Sequence, residues 1–318
     1  MNTKLTSKES ISIVEEPSFF SNKDYRLFSI LHHPLDAIPA NRQIGIIFCD
    51  PFGEEKLWAH RVFVSFARFL ARNAYWVLRF DCMGHGDSDG NDVDATLETQ
   101  LSDIHQAIAF LINKTQVKKV ILLGARFGGT LAAMAAAADP RIDGVVLWNP
   151  ILKGEKYFQE CLRSNLTTQM TTYRKIKYTR EQMVKELLAG MPVNIDGYLI
   201  SSDFYKQISQ IDLVAGMRSY SRPLLMVQIH KEENVKIDKE LQGFHQTLEE
   251  AGKPAQFMTV RGEPFWRELK TFPQQEALLF EKTADWIAEQ TGPSVPGIDE
   301  GDRSLHRGAG AMVEKGGS

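Results

Sequence analysis

The chain is poor in the features that mark the specialised protein classes. Only three cysteines, Cys49, Cys82 and Cys161, are spread over 318 residues. They form no CxxC pair, which excludes a disulfide framework and a cysteine-based metal site and suits a reducing compartment. The longest purely apolar run, residues 131–138, is mostly alanine and far short of the ~20 residues a membrane span needs. The N-terminal stretch MNTKLTSKESISIVEE lacks the apolar core of a secretory signal, so a cytoplasmic location is expected. Neither sign of charge dominates: 37 basic and 40 acidic residues leave −3, with no electrostatic footprint for nucleic acid. With 43% hydrophobic and 24% charged residues, wholesale disorder, collagen-like repeats and a coiled coil are excluded as well.

What remains is an alternation of strand and helix patterns, which implies an α/β fold with a mostly parallel central sheet and helices on both faces. Residues 12–20 and 25–32 read as an antiparallel edge. Short apolar runs typical of buried parallel strands follow at 44–49, 75–80, 120–123, 145–148, 224–229 and 256–260. Leu97, Leu101, Ile104, Ile108 and Leu111 form one apolar helical stripe, and 57–73, 127–138, 235–251 and 273–290 have the same period. Residues 151–220 break this rhythm, with a helix-like 180–188, a Gly-Met-Pro break at 190–192 and a strand-like 197–200. An insertion after a strand is expected to cover the carboxyl edge of the sheet, where open α/β folds bind ligands. The expected organisation is a flexible N-terminus (1–12), a core (13–150 and 221–290), a cap (151–220) and a disordered, glycine-rich tail (291–318).

Three segments carry chemical signals. In VILLGARFGGTLAAMAAA, residues 120–137, a strand runs through a glycine-flanked turn straight into an alanine-rich helix. This is the layout of a nucleophile elbow, which lifts one side chain above the sheet, although an ordinary tight strand–helix turn has the same pattern. The side chain lifted here is Arg126. In FDCMGHGDS, residues 80–88, two glycines bracket His85, which reads better as locked in a turn than as a base. In CDPFGEEKLWAH, residues 49–60, a buried strand passes into a helix whose first residues include Glu54 and Glu55, where carboxylates are favoured.

On these motifs, residues 51–285 resemble the α/β-hydrolase superfamily in its serine aminopeptidase-like and lysophospholipase-like branch. FDCMGHGDS is similar to that branch's D-x-x-G-x-G-x-S turn, RIDGVVLWNP (141–150) to its next strand, and NIDGYLISSDFYKQI (194–208) to the cap's return segment. DPFGEE, GARFGG and GEPFW together resemble the exosortase-system-associated hydrolase group, whose elbow also tends to carry Arg; this likeness implies a bacterial exopolysaccharide and protein-sorting setting. The resemblance implies an oxyanion loop at Phe52, Gly53 and Phe127. It also implies a triad in the order nucleophile, acid, base, for which Arg126 stands at the first position and Glu233, beside Glu232, at the second. The base should follow the strand 256–260, but RGEPFWRE contains no histidine, and Pro264 or Phe265 takes its place. A guanidinium has donors only and stays protonated, so it cannot attack a carbonyl.

The other histidines offer no clear replacement. His230, at the end of its strand, is a remote candidate for an unusual base; His32, His33, His105 and His245 fall on expected outer elements, His60 on the helix after the oxyanion loop, and His306 in the tail. Cys82 reads as a buried inert thiol. No His or Cys spacing supports a metal, and no cofactor is expected. Arg126 has two readings. It pairs with a carboxylate across the pocket (Glu55, Glu233 or Glu263), or it stays free and binds an anionic small-molecule ligand at the helix N-terminus. Phe52, Phe127, Phe265 and Trp266 are candidates for an apolar, acyl-binding lining, or for plain core packing. The function expected is therefore a non-hydrolytic pocket-binding or scaffolding protein built on a hydrolase frame. The alternative is an active esterase, thioesterase or acyl transferase using non-standard groups.

Overall fold

The computed structural model describes residues 12–35, 43–232, 236–268 and 276–291. Glu233, the expected acid, lies outside them, as do residues 1–11 and 292–318 of the expected N-terminus and tail.

One eight-stranded sheet carries the molecule, in the order β1-β2-β4-β3-β5-β6-β9-β10. The hairpin β1 (Ile13–Asn22) and β2 (Tyr25–Pro34) joins antiparallel to β4 (Trp76–Phe80) at one edge. From β4 through β3 (Ile44–Cys49), β5 (Lys119–Ala125), β6 (Gly144–Trp148), β9 (Leu224–His230) and β10 (Ala255–Arg261), every pairing is parallel. The central strands are continuous apolar runs because helices cover both faces. Alternation within β3 sorts its side chains accordingly. Ile46 and Phe48 join the core under α1 (Glu54–Arg72) and α9 (Glu276–Thr291), while Ile47 and Cys49 join the core under α2 (Leu97–Thr115) and α3 (Phe127–Ala138).

Between β6 and β9 lie α4 (Gly154–Tyr173), α5 (Arg180–Leu188), the hairpin β7 (Val193–Ile195) and β8 (Tyr198–Ile200), α6 (Ser202–Ser209) and α7 (Leu213–Gly216). Their buried residues, Phe158, Leu162, Leu187 and Phe204 among them, continue the core on the α3 side of the sheet. After β9, α8 (Lys239–Glu250) begins later than its apolar period suggests, because the Asp238 side chain accepts from the Glu240 and Leu241 amides and caps the helix there.

His32 lies in the antiparallel edge hairpin, as expected of an outer element, but it is not exposed there. It is fully buried in β2, where its Nε2 accepts from Arg79 Nε (3.1 Å) and its Nδ1 lies 3.3 Å from Glu15 Oε1. Burial, reinforced by the Arg79 charge, holds this imidazole neutral well below its ordinary titration range. The unfolded chain takes up a proton near pH ~6.5 that the folded chain refuses, so His32 favours folding above that pH and opposes it below. Urea unfolding of His32→Gln should lose stability less steeply than the natural chain as pH falls from about 6.5 to about 5. Parallel pH profiles would contradict this assignment.

Candidate functional site

Arg126 is the residue between β5 and α3, with φ 53° and ψ −125°. A non-glycine residue keeps such a conformation, at a cost of about 1–3 kcal/mol, only where its surroundings over-determine it. They do so here. Its amide donates to the Trp148 carbonyl (2.9 Å) and its carbonyl accepts from the Thr130 amide (3.2 Å). Gly124 and Gly128 bring α3 against the strand ends so closely that a Cβ on Gly128 would stand 2.1 Å from the Cys49 carbonyl oxygen. The turn therefore projects one long side chain over the carboxyl edge of β5.

That side chain is engaged. Arg126 Nε donates to Glu55 Oε1 at 3.0 Å, and Tyr157 Oη of α4 donates to Glu55 Oε2 at 2.9 Å. The guanidinium also lies 5.6 Å from the Tyr157 ring centre and 5.5 Å from that of Trp266, within cation–π range of both. Side-chain exposure is 17% for Arg126 and 20% for Glu55. Burial pushes the Glu55 carboxyl above its usual range, with Arg126 and Tyr157 opposing the shift, while the Glu55 charge raises Arg126. One residue from each of DPFGEE, GARFGG and GEPFW thus meets in a single cluster: Glu55, Arg126 and Trp266. Tyr157 completes it from the segment between β6 and β9.

Of the two candidate carboxylate partners of Arg126 that the structure describes, Glu55 and Glu263, Glu55 is the one in contact; Glu233 lies outside the described residues. Glu263 points elsewhere and pairs with Lys231 (3.1 Å). Phe265, a candidate for the pocket lining, is instead 2% exposed and packs on Trp148 and Phe63 beneath the sheet edge. Phe127 is also fully buried, against Phe52, Tyr157 and Phe204; as the first residue of α3 its amide has no acceptor within the helix. Gly53 caps α1 with φ 58° and lies, with Phe52, at the edge of the same space. His230 is outside it, its Nδ1 2.8 Å from the Glu232 carbonyl oxygen. His85 sits in a hydrogen-bonded turn, its amide donating to the Cys82 carbonyl (3.0 Å) and its carbonyl accepting from the Ser88 amide (3.1 Å).

Above the cluster opens a cleft of about 660 Å³. Phe52, Tyr157 and Trp266 form an apolar floor, but the walls are polar. Ser164, Thr167, Thr168, Thr171 and Thr172 line it from α4, facing the carboxylates Glu54, Asp196 and Glu268. Burial, with the nearby charges of Asp196 and Glu268 added, raises Glu54 above its usual range. A second cluster braces the floor from behind: Lys56 Nζ bridges Asp50 Oδ2 (3.1 Å) and Asp81 Oδ1, tying the start of α1 to the turn after β4. Neither the Tyr157–Glu55 contact nor the Lys56–Asp81 bridge announces itself in the sequence, since each joins residues far apart in the chain. Among the described residues, no group of His, Cys, Asp and Glu is arranged to hold a metal ion, and no helix is long and apolar enough to cross a membrane.

Est1E from Butyrivibrio proteoclasticus, solved with ferulic acid bound, is similar to this chain with a TM-score of 0.60 and 19% identity, over 86% of this chain and 98% of that one. The chain has the α/β-hydrolase fold. Two further α/β-hydrolase-like structures agree. The α/β hydrolase GrgF from Penicillium sp. sh18 gives a TM-score of 0.58 at 18% identity, over 87% of this chain and 99% of that one. An esterase of Pyrococcus furiosus gives 0.58 at 16%, over 89% and 93%. Residues 57–210 match the family described as serine aminopeptidase, S33. That span of the α/β-hydrolase fold includes the Arg126 turn and α4, but neither the DPFGEE nor the GEPFW loop. No curated protein sequence matches the chain.

Proposed function

We propose that this α/β-hydrolase-fold protein binds a ligand in its cleft without hydrolysing it. The observation that carries this reading is the Arg126–Glu55–Tyr157 cluster at the turn where hydrolases of this fold hold their nucleophile. A guanidinium has no lone pair to attack with, and the Nε of this one already donates to a carboxylate. Tyr157 is no substitute, because burial and the neighbouring Glu55 push its hydroxyl well above its usual range. No histidine stands in the loop that should carry the base, so restoring a hydroxyl at position 126 would leave it without a proton acceptor.

The frame is retained for binding. Residues 151–220 act as a cap, and the ion pair locks that cap, through Tyr157, to the two loops beneath it. The Phe127 amide and the Phe52–Gly53 loop keep the position of an oxyanion hole without a reaction to serve. With Arg126 Nε held by Glu55, and with hydroxyls, carboxylates and Arg267 along the walls, the cleft suits a polar ligand. The likeness of DPFGEE, GARFGG and GEPFW to the exosortase-system-associated group belongs to this reading too, since each motif supplies one member of the cluster. Turnover of a panel of esters and thioesters tests it. The natural chain, Arg126→Ala and His230→Ala should all match the buffer rate, and turnover lost on either substitution would overturn it.

A further inference from the structure

The turn between α4 and α5 carries a feature that the cleft does not use. From Cys161 to Arg180 the sequence CLRSNLTTQMTTYRKIKYTR holds five basic residues and no acidic one, in a chain whose net charge is −3. Four of them, Arg174, Lys175, Lys177 and Arg180, cluster around the turn between α4 and α5. Among the described residues Arg174, Lys175 and Lys177 form no ion pair, and Arg180 pairs with Glu181 at 3.3 Å. Interleaved with these charges are three large apolar side chains left in water: Met170, Tyr173 and Ile176, 46%, 49% and 46% exposed.

This turn is held in place rather than left loose. The buried Gln169 side chain accepts from the Lys177 and Tyr178 amides (2.9 Å each) and donates to the Tyr178 carbonyl (2.9 Å) and to Asn165 Oδ1 (2.8 Å). Asn165 in turn donates to Asp196 (2.9 Å), anchoring the turn to the β7–β8 hairpin. Lys177 Nζ lies 3.4 Å from the Tyr173 ring centre, so cation and aromatic ring are displayed together. A buried amide spent on exposing isoleucine, tyrosine and methionine beside unpaired cations has no folding rationale of its own.

We infer that this turn docks the protein on an anionic lipid surface, the cations meeting headgroups while Met170, Tyr173 and Ile176 enter the interfacial layer. Interleaved apolar and basic side chains on an exposed turn are the chemistry of a peripheral membrane contact. Nucleic acid fits less well, because the apolar members of the patch have nothing to bury against on a phosphate backbone and no basic field extends beyond it. Docking there sets the cleft beside the lipid, since Thr171 and Thr172, next in the chain to Tyr173, line its wall.

Flotation of the full chain with phosphatidylcholine vesicles, with and without phosphatidylglycerol, tests this. Binding is expected only to the anionic vesicles and should fall as salt rises. Lys175→Glu/Lys177→Glu should weaken it at least about thirtyfold, and Tyr173→Ser/Ile176→Ser about tenfold. Both variants alter exposed side chains, so unchanged thermal midpoints should confirm that they fold. Equal binding to neutral and anionic vesicles, no binding to either, undiminished binding by the charge-reversed variant, or retention on single-stranded RNA without retention on vesicles would each overturn the inference.

Discussion

Replacing Arg126 with methionine should destabilise the protein by about 3 kcal/mol, because it strands a carboxylate that the fold has taken largely out of water. Glu55 would keep only the Tyr157 hydroxyl as a donor, in a site where four-fifths of its side chain is covered. The effect belongs to the pair, so a double-mutant cycle separates it from lost packing. Arg126→Met/Glu55→Leu removes both charges while keeping most of the apolar volume, and should recover much of the loss. Replacing a buried ion pair by hydrophobic groups is often nearly neutral, whereas breaking one is costly. Urea unfolding of the two single variants and the double variant gives the coupling directly. Strictly additive losses would mean that Arg126 and Glu55 do not act on each other. An Arg126→Met variant as stable as the natural chain would mean that the guanidinium is free for an external anion.

Gly128→Ala should be more damaging still, costing more than about 4 kcal/mol and abolishing folding at physiological temperature. The added Cβ would stand 2.1 Å from the Cys49 carbonyl oxygen and 2.4 Å from that of Asp50, both backbone atoms at the end of β3. Neither can swing aside as a side chain would, so α3 must lift off the sheet and carry Arg126 away from Glu55. Gly243, within α8, provides the contrast: nothing lies within 4 Å of its Cβ position. Gly243→Ala should stabilise the protein by up to about 1 kcal/mol, as alanine does in an open helix position. Comparing soluble yield and thermal midpoint of the two variants checks both. A folded Gly128→Ala protein with a near-normal midpoint would refute the close packing of the turn.

Much of this architecture is legible in the sequence because it rests on local signals. The continuous apolar run of β3 and the alanine-rich period of α3 mark their elements to the residue, as does the 180–188 segment that forms α5. The turn at Arg126 is legible from its glycines, whose spacing only makes sense where a helix meets strand ends at contact distance. α4 is not legible. Its buried stripe of Tyr157, Phe158, Leu162, Asn165 and Gln169 has the helical period but includes two amides, and the part that lines the cleft is mostly threonine and serine, poor helix formers. That hidden helix carries Tyr157 and one whole wall of the cleft. The choice of Glu55 over Glu263 was equally beyond reach, because it depends on Lys231, at the end of β9, capturing Glu263. His32 misleads for a related reason: β2 is close to the sheet edge in order, but α1 and the antiparallel join to β4 bury it.

The claim at the centre of this reading is that the hydrolase position is structurally occupied and chemically silent. Steady-state turnover of an activated acetate ester by the purified full chain, alongside Arg126→Ala and a buffer blank, tests it most directly. The occupied-site reading predicts no rate above the blank for either protein. A saturable rate in the natural chain that disappears in Arg126→Ala, with the variant still folded, would contradict it.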